Sequence, residues 1–581
     1  MSKLNVDQKT IMLLFSDKKS DFLIPDYQRP YAWEEGQCQT LWDDIFSFAF
    51  PDNNSDKFDS NEEYFLGSIV TFENDNNKKE VIDGQQRLTT LMLLLRAFYA
   101  KFGNMQDENS KSTRERIAQC LWKTNEFGQP NLNILKIDSE VATDNDKDEF
   151  LEILKTGIVN KDQRSNYAKN YRFFQERIDN FLSEYPSYFA YLPARILGNC
   201  ILLPIDAESQ DTALRIFSTL NDRGLPLSDA DIFKAQFYKH YTTKNQKDKF
   251  IEQWKELEEI TARIFKPLNG TPMDELFTRY MYFVRAKQGI KSSTTEALRK
   301  FYEKGKYSIL KQDETLSNLK ILVDFWNDVY HQNTDRFSSN ILRKLFILNS
   351  APNGMWTYFL SVYFLQNKTG NDQLKEQKLD DFLSKTIAFV WAYAFTNPGV
   401  NALRTPVYAE MINIVTDKIV NFDEHKFDEK SLRTAINNFE FKNGRPITRS
   451  MLTWWAFKVD NQEIPTLTTN FEIEHIFARK RQENDKSLSN SKNLEVLGNK
   501  SLLEDKINIR ASDYRFGDKT KYYKGFTNDK SQHKAGSIIS ELVNMADTKT
   551  DFNEQDIIQR SEKIVNEFID FLKQKNLLKQ L

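Results

Sequence analysis

The sequence predicts an α+β protein that is predominantly helical, and three observations carry this. Within residues 1–240, short apolar runs with strand character alternate with runs of helical periodicity. Residues 241–440 keep helical spacing with few turn signals. Residues 441–581 contain two short strand candidates followed by a helix. At 581 residues the chain exceeds the roughly 250–300 residues at which a single core stops growing. These three segments are therefore the expected domains. Hydrophobic residues at 40% and charged residues at 28% describe an ordinary globular protein and exclude a disordered one.

Net charge is −3, which excludes a polycation that coats nucleic acid but leaves room for a local basic cleft. The three cysteines, Cys38, Cys120 and Cys200, are far apart and form no C-x-x-C. That excludes a disulfide framework and a cysteine zinc site, and it fits a reducing cytoplasm. The first residues lack the apolar core of a signal peptide. The longest apolar runs, such as Ile387 to Phe395, fall short of the ~20 residues that cross a bilayer. A cytoplasmic protein with no membrane partner is expected.

In chain order, Phe22 to Ile24 read as a strand ended by Pro25. The aromatic-rich stretch Asp26 to Trp33 follows, with Gln28 and Arg29 at its centre; Pro30 pushes Arg29 into an extended conformation. Leu41, Ile45 and Phe48 mark one face of a helix. Tyr64 to Phe72 is a strand with a glycine kink, and Glu73 to Glu80 is polar enough for a hairpin connection. A short returning strand, Val81-Ile82, runs into Asp83-Gly84-Gln85-Gln86-Arg87 and then a helix marked by Leu88, Leu91, Leu95 and Phe98.

Free N–H groups at such a helix start attract anions. Gly84 permits close backbone approach, and Arg87 can fork onto phosphate oxygens. The turn thus reads as a phosphate cradle, although no Walker A loop occurs. The competing reading has Asp83 capping the helix and Arg87 pairing with a surface acid. Further on, Cys200 to Ile205 is a strand, Asn221-Asp222-Arg223-Gly224 a helix C-terminus closed by glycine, and Ser228 the cap of the next helix. In the middle segment, Asn397-Pro398-Gly399 stops a buried helix, and His240, His331 and His425 are isolated, so this part reads as scaffold.

The densest chemistry lies near the C-terminus. Leu467 to Ile476 reads as a strand ending in Glu474-His475. A second strand with its turn spans Asn493 to Leu503 and carries Asn499; Asn508 sits in a following helix. This reads as a metal-dependent phosphodiesterase site of the HNH type. Such a site needs a histidine base for water and a hard divalent ion held by a carboxylate and an amide. The expected roles are His475 as base, Asn499 as its orienter, and Glu474 and Asn508 as ligands of Mg²⁺ or Mn²⁺. Asp513 could add to Asn508 or replace it. Strand alternation sets Glu474 and His475 on opposite faces, so a shared site requires the strand to end there. Arg479, Lys480, Lys500, Lys506 and Lys519 are candidate DNA phosphate contacts. The stretch 471–530 holds 13 basic and 10 acidic residues, so a mixed solvated surface is an equal reading of each.

Two sets of strings carry a family resemblance. Pro25 to Trp33, Ile82 to Leu91 and Ile216 to Ser228 resemble the signature of the GmrS-type domain, which is related to the ParB/sulfiredoxin fold. Glu474-His475-Ile476, Leu497 to Leu503, Lys506-Ile507-Asn508 and Ser512 to Lys519 resemble the GmrD-type HNH domain, a ββα-metal fold. The resemblance to GmrSD-like, modification-dependent (type IV) restriction enzymes implies a single-chain DNA endonuclease of phage defence. It implies regulation by GTP or ATP held near Gln28, Arg29 and Asp83 to Arg87, including Gly84, Gln85 and Gln86. It also suggests that Asn221 and Arg223 face that nucleotide, although turn chemistry explains them as well. Double-stranded, modified phage DNA is the expected partner, and a homodimer would supply a second cut. Two departures stand out: Phe477-Ala478-Arg479-Lys480 lacks the family's usual proline, and Asp513 stands where asparagine is commoner. They leave one rival reading, a nucleotide- and DNA-binding regulator with a degenerate HNH domain.

Overall fold

The computed structural model describes residues 5–580 apart from 211, 215, 217–227, 400 and 528–530. Helix outweighs strand by 58% to 10%, as the periodicity of the long middle stretch predicts. The chain forms two compact units, Met1–Lys255 and Glu256–Leu581.

The first unit is built on one mixed sheet. Its strands are β1 (Asn5–Val6), β2 (Lys9–Thr10), β3 (Phe22–Ile24), β4 (Tyr64–Glu73), β5 (Lys79–Asp83), β8 (Ile137–Ser139) and β9 (Cys200–Ala207); β6 (Trp122–Thr124) and β7 (Pro130–Leu135) make a separate hairpin. The order is β1-β9-β4-β5-β3-β8, with β2 also on β9. Strand β4 runs parallel to β9 and antiparallel to β5, while β3 is parallel to β5 and β8. The near-continuous apolar text of β9 suits a strand covered on both faces, and it is buried along most of its length.

The β4–β5 hairpin closes on Asn74, whose side-chain oxygen accepts from the N–H groups of Asn76 and Lys78, both at 3.0 Å. Such local bonding is why asparagine favours turns. From Asp83 the chain enters the helix Gln85–Lys101, whose residues Leu88 to Phe98 are all buried. It packs against the helices Glu108–Leu121 and Asn166–Glu184. Each fully buried leucine there contributes roughly 1.5–3 kcal/mol. That burial anchors the turn at the helix start. Ser228 caps the helix Asp229–Thr243 by a reciprocal bond pattern with Asp231, as its position before an apolar run predicts.

In the second unit, the helices Pro272–Lys287, Met355–Asn367 and Arg404–Val415 pack together. Of the segment 241–440 expected as scaffold, residues 256–440 share this unit with the residues beyond them, while 241–255 belong to the first unit. Arg343 donates to the carbonyls of Gln462 and Asp460, both at 2.7 Å, and the rings of Phe346 and Phe457 lie 4.6 Å apart. Strands β10 (Phe471–His475) and β11 (Lys500–Glu504) form an antiparallel pair, followed by the helices Asp505–Ala511 and Phe516–Lys524 and the small pair β12 (Gly525–Thr527) and β13 (His533–Ala535).

Two strand expectations change. Strand β10 begins at Phe471 rather than Leu467, because Thr466 Oγ1 lies 3.2 Å from the hydroxyl of Thr468 and 3.0 Å from that of Thr469, closing a turn. The second strand begins at Lys500 rather than Asn493. Residues Ser491–Glu495 and Leu497–Asn499 are single 3₁₀ turns, the first capped by Asn490.

Candidate functional site

Strand β10 ends at His475, so its last two residues face different surroundings. Glu474 is buried, and its Oε1 accepts from Lys519 Nζ at 2.6 Å and from Tyr523 OH at 2.7 Å. Both donors come from one face of the helix Phe516–Lys524. Burial raises the Glu474 carboxyl, opposed by the Lys519 charge and bond, while the nearby Asp513 charge pushes it up further. Lys519 Nζ also donates to the backbone carbonyl of His475 at 2.7 Å, which pins the strand end. The His475 ring is buried as well, and its pKa is lowered to about 4, first by desolvation and then by the Lys500 charge. At neutral pH the ring is therefore uncharged and able to accept a proton.

The ring nitrogen Nε2 lies 3.2 Å from Glu495 Oε1 and 3.1 Å from Lys500 Nζ. Asn499 is placed differently from the expected ring contact. Its fully buried amide accepts from Phe477 N at 2.7 Å and donates to Phe477 O at 3.2 Å and Leu494 O at 3.1 Å. It holds the backbone after His475 and does not bond the ring. The neighbouring turn is clamped from below. Arg560 Nη1 donates to the carbonyls of Leu497, Gly498 and Lys500 at 3.0, 3.1 and 2.6 Å, and Gly498 N donates to Ser561 Oγ at 2.9 Å.

Two expected DNA contacts are corrected by burial. Lys500 and Lys519 are 0% and 1% exposed and bond Glu495 and Glu474, so neither lies on a DNA-facing surface. Buried ammonium groups need such partners. Arg479 is half-exposed and donates to Glu495 Oε1 at 2.7 Å, while Lys480 and Lys506 are exposed. The sequence reading passed over Glu495, Tyr523 and Asn443; no periodic pattern distinguishes such residues from surface ones.

The donor set suits a hard divalent ion. The two donors to Glu474 both act on Oε1. Asn508 is half-buried, Asp513 is exposed, and their side chains make no hydrogen bond among the described residues. A carboxylate, an amide and a second carboxylate are oxygen ligands of the kind Mg²⁺ and Mn²⁺ take. Among the described residues no three His, Cys, Asp or Glu side chains cluster as a metal cage. An ion here would complete its shell with water and phosphate oxygens, and would share Glu474 with Lys519.

In the first unit, Gly84 sits at φ +90° before the helix Gln85–Lys101, with no side-chain cap. Asp83 and Arg87 flank it. Burial pushes the Asp83 carboxyl up against the pull of Arg87 and Arg29, and burial lowers Arg87. Arg87 Nη1 donates to Ser68 O at 2.9 Å, and its guanidinium covers Gly67, where a Cβ would fall 2.7 Å from Cζ. Gln86 and Gln28 are tied to backbone. Gln86 Oε1 accepts from the N–H groups of Ala32 at 2.7 Å and Trp33 at 3.2 Å, and its Nε2 donates to Pro30 O at 3.1 Å. Gln28 Nε2 donates to the carbonyls of Val81 and Ile82 at 3.2 and 3.1 Å. These bonds lock the Asp26-to-Trp33 loop onto the turn. Gln85 is buried, and Asn221 and Arg223 lie outside the described residues.

Among the described residues no helix is long and apolar enough to cross a membrane. No curated protein matches the chain. Residues 11–238 match the family described as GmrSD restriction endonuclease, N-terminal domain, and residues 426–567 the one described as GmrSD restriction endonucleases, C-terminal domain. The first match spans the Gln28–Arg87 turn and the second spans Glu474, His475, Asn499 and Asn508, and together they cover more than half of the chain. With both halves on one polypeptide, in this order, the chain belongs to the GmrSD family of type IV restriction endonucleases.

Proposed function

We propose that this endonuclease is NTP-regulated, cuts DNA through an HNH-type site, and acts in the cytoplasm on modified foreign DNA such as that of phage. The observation that supports the cutting site most is the buried Glu474–His475 strand end, with a neutral histidine next in sequence to a carboxylate that feels the Asp513 charge. His475 takes a proton from water as general base. Its low pKa keeps it neutral, and the negative charge of an arriving phosphate would raise that pKa toward the working range. Glu474 and Asn508, with Asp513 as the alternative to Asn508, would hold Mg²⁺ or Mn²⁺. When bound, that ion supplies Lewis-acid stabilisation of the charge on the scissile phosphate. Lys519 and Tyr523 fix the Glu474 carboxylate, Asn499 fixes the backbone after the base, and Arg479, Lys480 and Lys506 contact DNA phosphates.

In the first unit, GTP or ATP phosphates would meet the uncapped N–H groups after Gly84, together with Arg87 and Arg29. Gln28 and Gln86 keep the two halves of the cradle in register. The test incubates purified protein with modified and unmodified plasmid, with Mg²⁺ or Mn²⁺, with and without GTP or ATP. Wild type should nick modified plasmid in a nucleotide-dependent way, His475→Ala should lose at least 100-fold in rate (general-base catalysis contributes roughly 10²–10⁴), and Arg87→Ala should lose the nucleotide dependence. Equal cutting by His475→Ala would remove the base assignment, and an unaltered nucleotide response in Arg87→Ala would remove the cradle.

A further inference from the structure

His475 Nε2 faces two groups of opposite charge, Glu495 Oε1 at 3.2 Å and Lys500 Nζ at 3.1 Å. We infer that Glu495 is the positioning residue of the base: its carboxylate accepts the Nε2–H and leaves Nδ1 as the nitrogen that takes the proton. The inference rests on the base role of His475 proposed above.

An ammonium and a guanidinium only donate. Of the charged groups around Nε2 among the described residues, Glu495 alone can accept from it. Once the ring has taken a proton, both nitrogens carry hydrogen, and Nε2–H then needs an acceptor, which Lys500 cannot supply. Were Lys500 to donate to Nε2 at rest, that lone pair would be capped and Nδ1 would carry the ring proton. Neither nitrogen could then accept another without displacing the lysine. The productive tautomer is the one with hydrogen on Nε2.

The surroundings hold Glu495 to this task. Lys500 donates to Oε2 at 2.6 Å and is itself fixed by Asn443 Oδ1 at 2.6 Å, while Arg479 donates to Oε1 at 2.7 Å. Each carboxylate oxygen thus has a cation of its own, and Oε1 keeps a direction open toward the ring. Asn499 cannot take the role, since its amide is committed to Phe477 and Leu494. In the cutting step one water proton passes to Nδ1 and the water oxygen's lone pair forms the new bond to phosphorus. The phosphorus–oxygen bond to the leaving group breaks with its electron pair, and Nε2–H stays on the ring against Glu495.

Two measurements test this on the full chain. In protein labelled with ¹⁵N-histidine, the His475 signal, identified by its loss in His475→Gln, should show Nε2 protonated and Nδ1 bare at neutral pH. In a plasmid assay with Mn²⁺, Glu495→Gln should lower kcat roughly 100-fold, within the range general-base catalysis contributes, with KM for DNA unchanged. A bare Nε2 in the wild-type spectrum overturns the inference even if the variant does not fold. So does a folded Glu495→Gln with wild-type kcat. If that variant is fully active while His475→Gln is dead, only the positioning role falls. If His475→Gln also cuts normally, the base assignment falls with it.

Discussion

His475 is the residue at which burial has the clearest measurable consequence. Its folded pKa of about 4 lies below the ordinary 6.5, so between those values the unfolded chain binds a proton that the folded site refuses. The group's contribution to stability is full above pH 6.5 and is lost progressively as pH falls toward 4. Denaturation midpoints of wild type should therefore drop more steeply between pH 7 and pH 5 than those of His475→Gln; parallel slopes would contradict the burial of the ring. Gly67 gives a second expectation at this scale. Its φ of +123° and the 2.7 Å approach to the Arg87 guanidinium mean that an alanine there is strained and must displace the arginine. Gly67→Ala should cost about 1–3 kcal/mol and, if the proposed cradle holds the nucleotide, should weaken nucleotide binding by calorimetry, as Arg87→Ala should.

At the scale of elements, the turn Leu497–Asn499 is shaped by the helix Glu554–Gln574. A Cβ on Gly498 would fall 1.9 Å from the carbonyl oxygen of Ile557 and 2.7 Å from Ser561 N. Backbone atoms inside a helix cannot step aside, so Gly498→Ala should destabilise by about 3 kcal/mol, the upper end of the overpacking range, and abolish cutting. Hydrogen exchange should show the helix Glu554–Gln574 losing protection while β4 and β9 keep theirs. The elements were legible in the sequence where the cause is local. Strand β3 stops before Pro25, which has no N–H to give, Ser228 caps its helix and Asn397 ends the helix Glu376–Thr396, all for causes that lie within a few residues. Thr466 to Thr469 misled because β-branched residues suit a strand, while their hydroxyls close a turn. The Glu474-His475 pair stood out in the sequence as a candidate site. The ion pairs that surround it were not, because Lys519 lies 45 residues from Glu474 and a lone lysine in a charged stretch reads as surface.

For the molecule as a whole, the one Glu474–His475 site proposed per chain sets the product expected first. A single site breaks one strand per encounter, so nicked circles should accumulate before linear plasmid, and the ratio should shift toward linear as protein concentration rises if two copies act together. Gel analysis of a time course decides this; linear product without a nicked intermediate at low concentration would point to copies already paired. The clamp on the turn beside the proposed cutting site has a further consequence during synthesis. Arg560, Ser561 and Ile557 shape the turn that ends in Asn499, yet the ribosome makes them well after it. A nascent chain that already displays Glu474 and His475 has no means of closing that turn. If the proposed site is the one that cuts, nuclease competence comes only once the helix Glu554–Gln574 has been made, long after the first unit, Met1–Lys255, has left the ribosome.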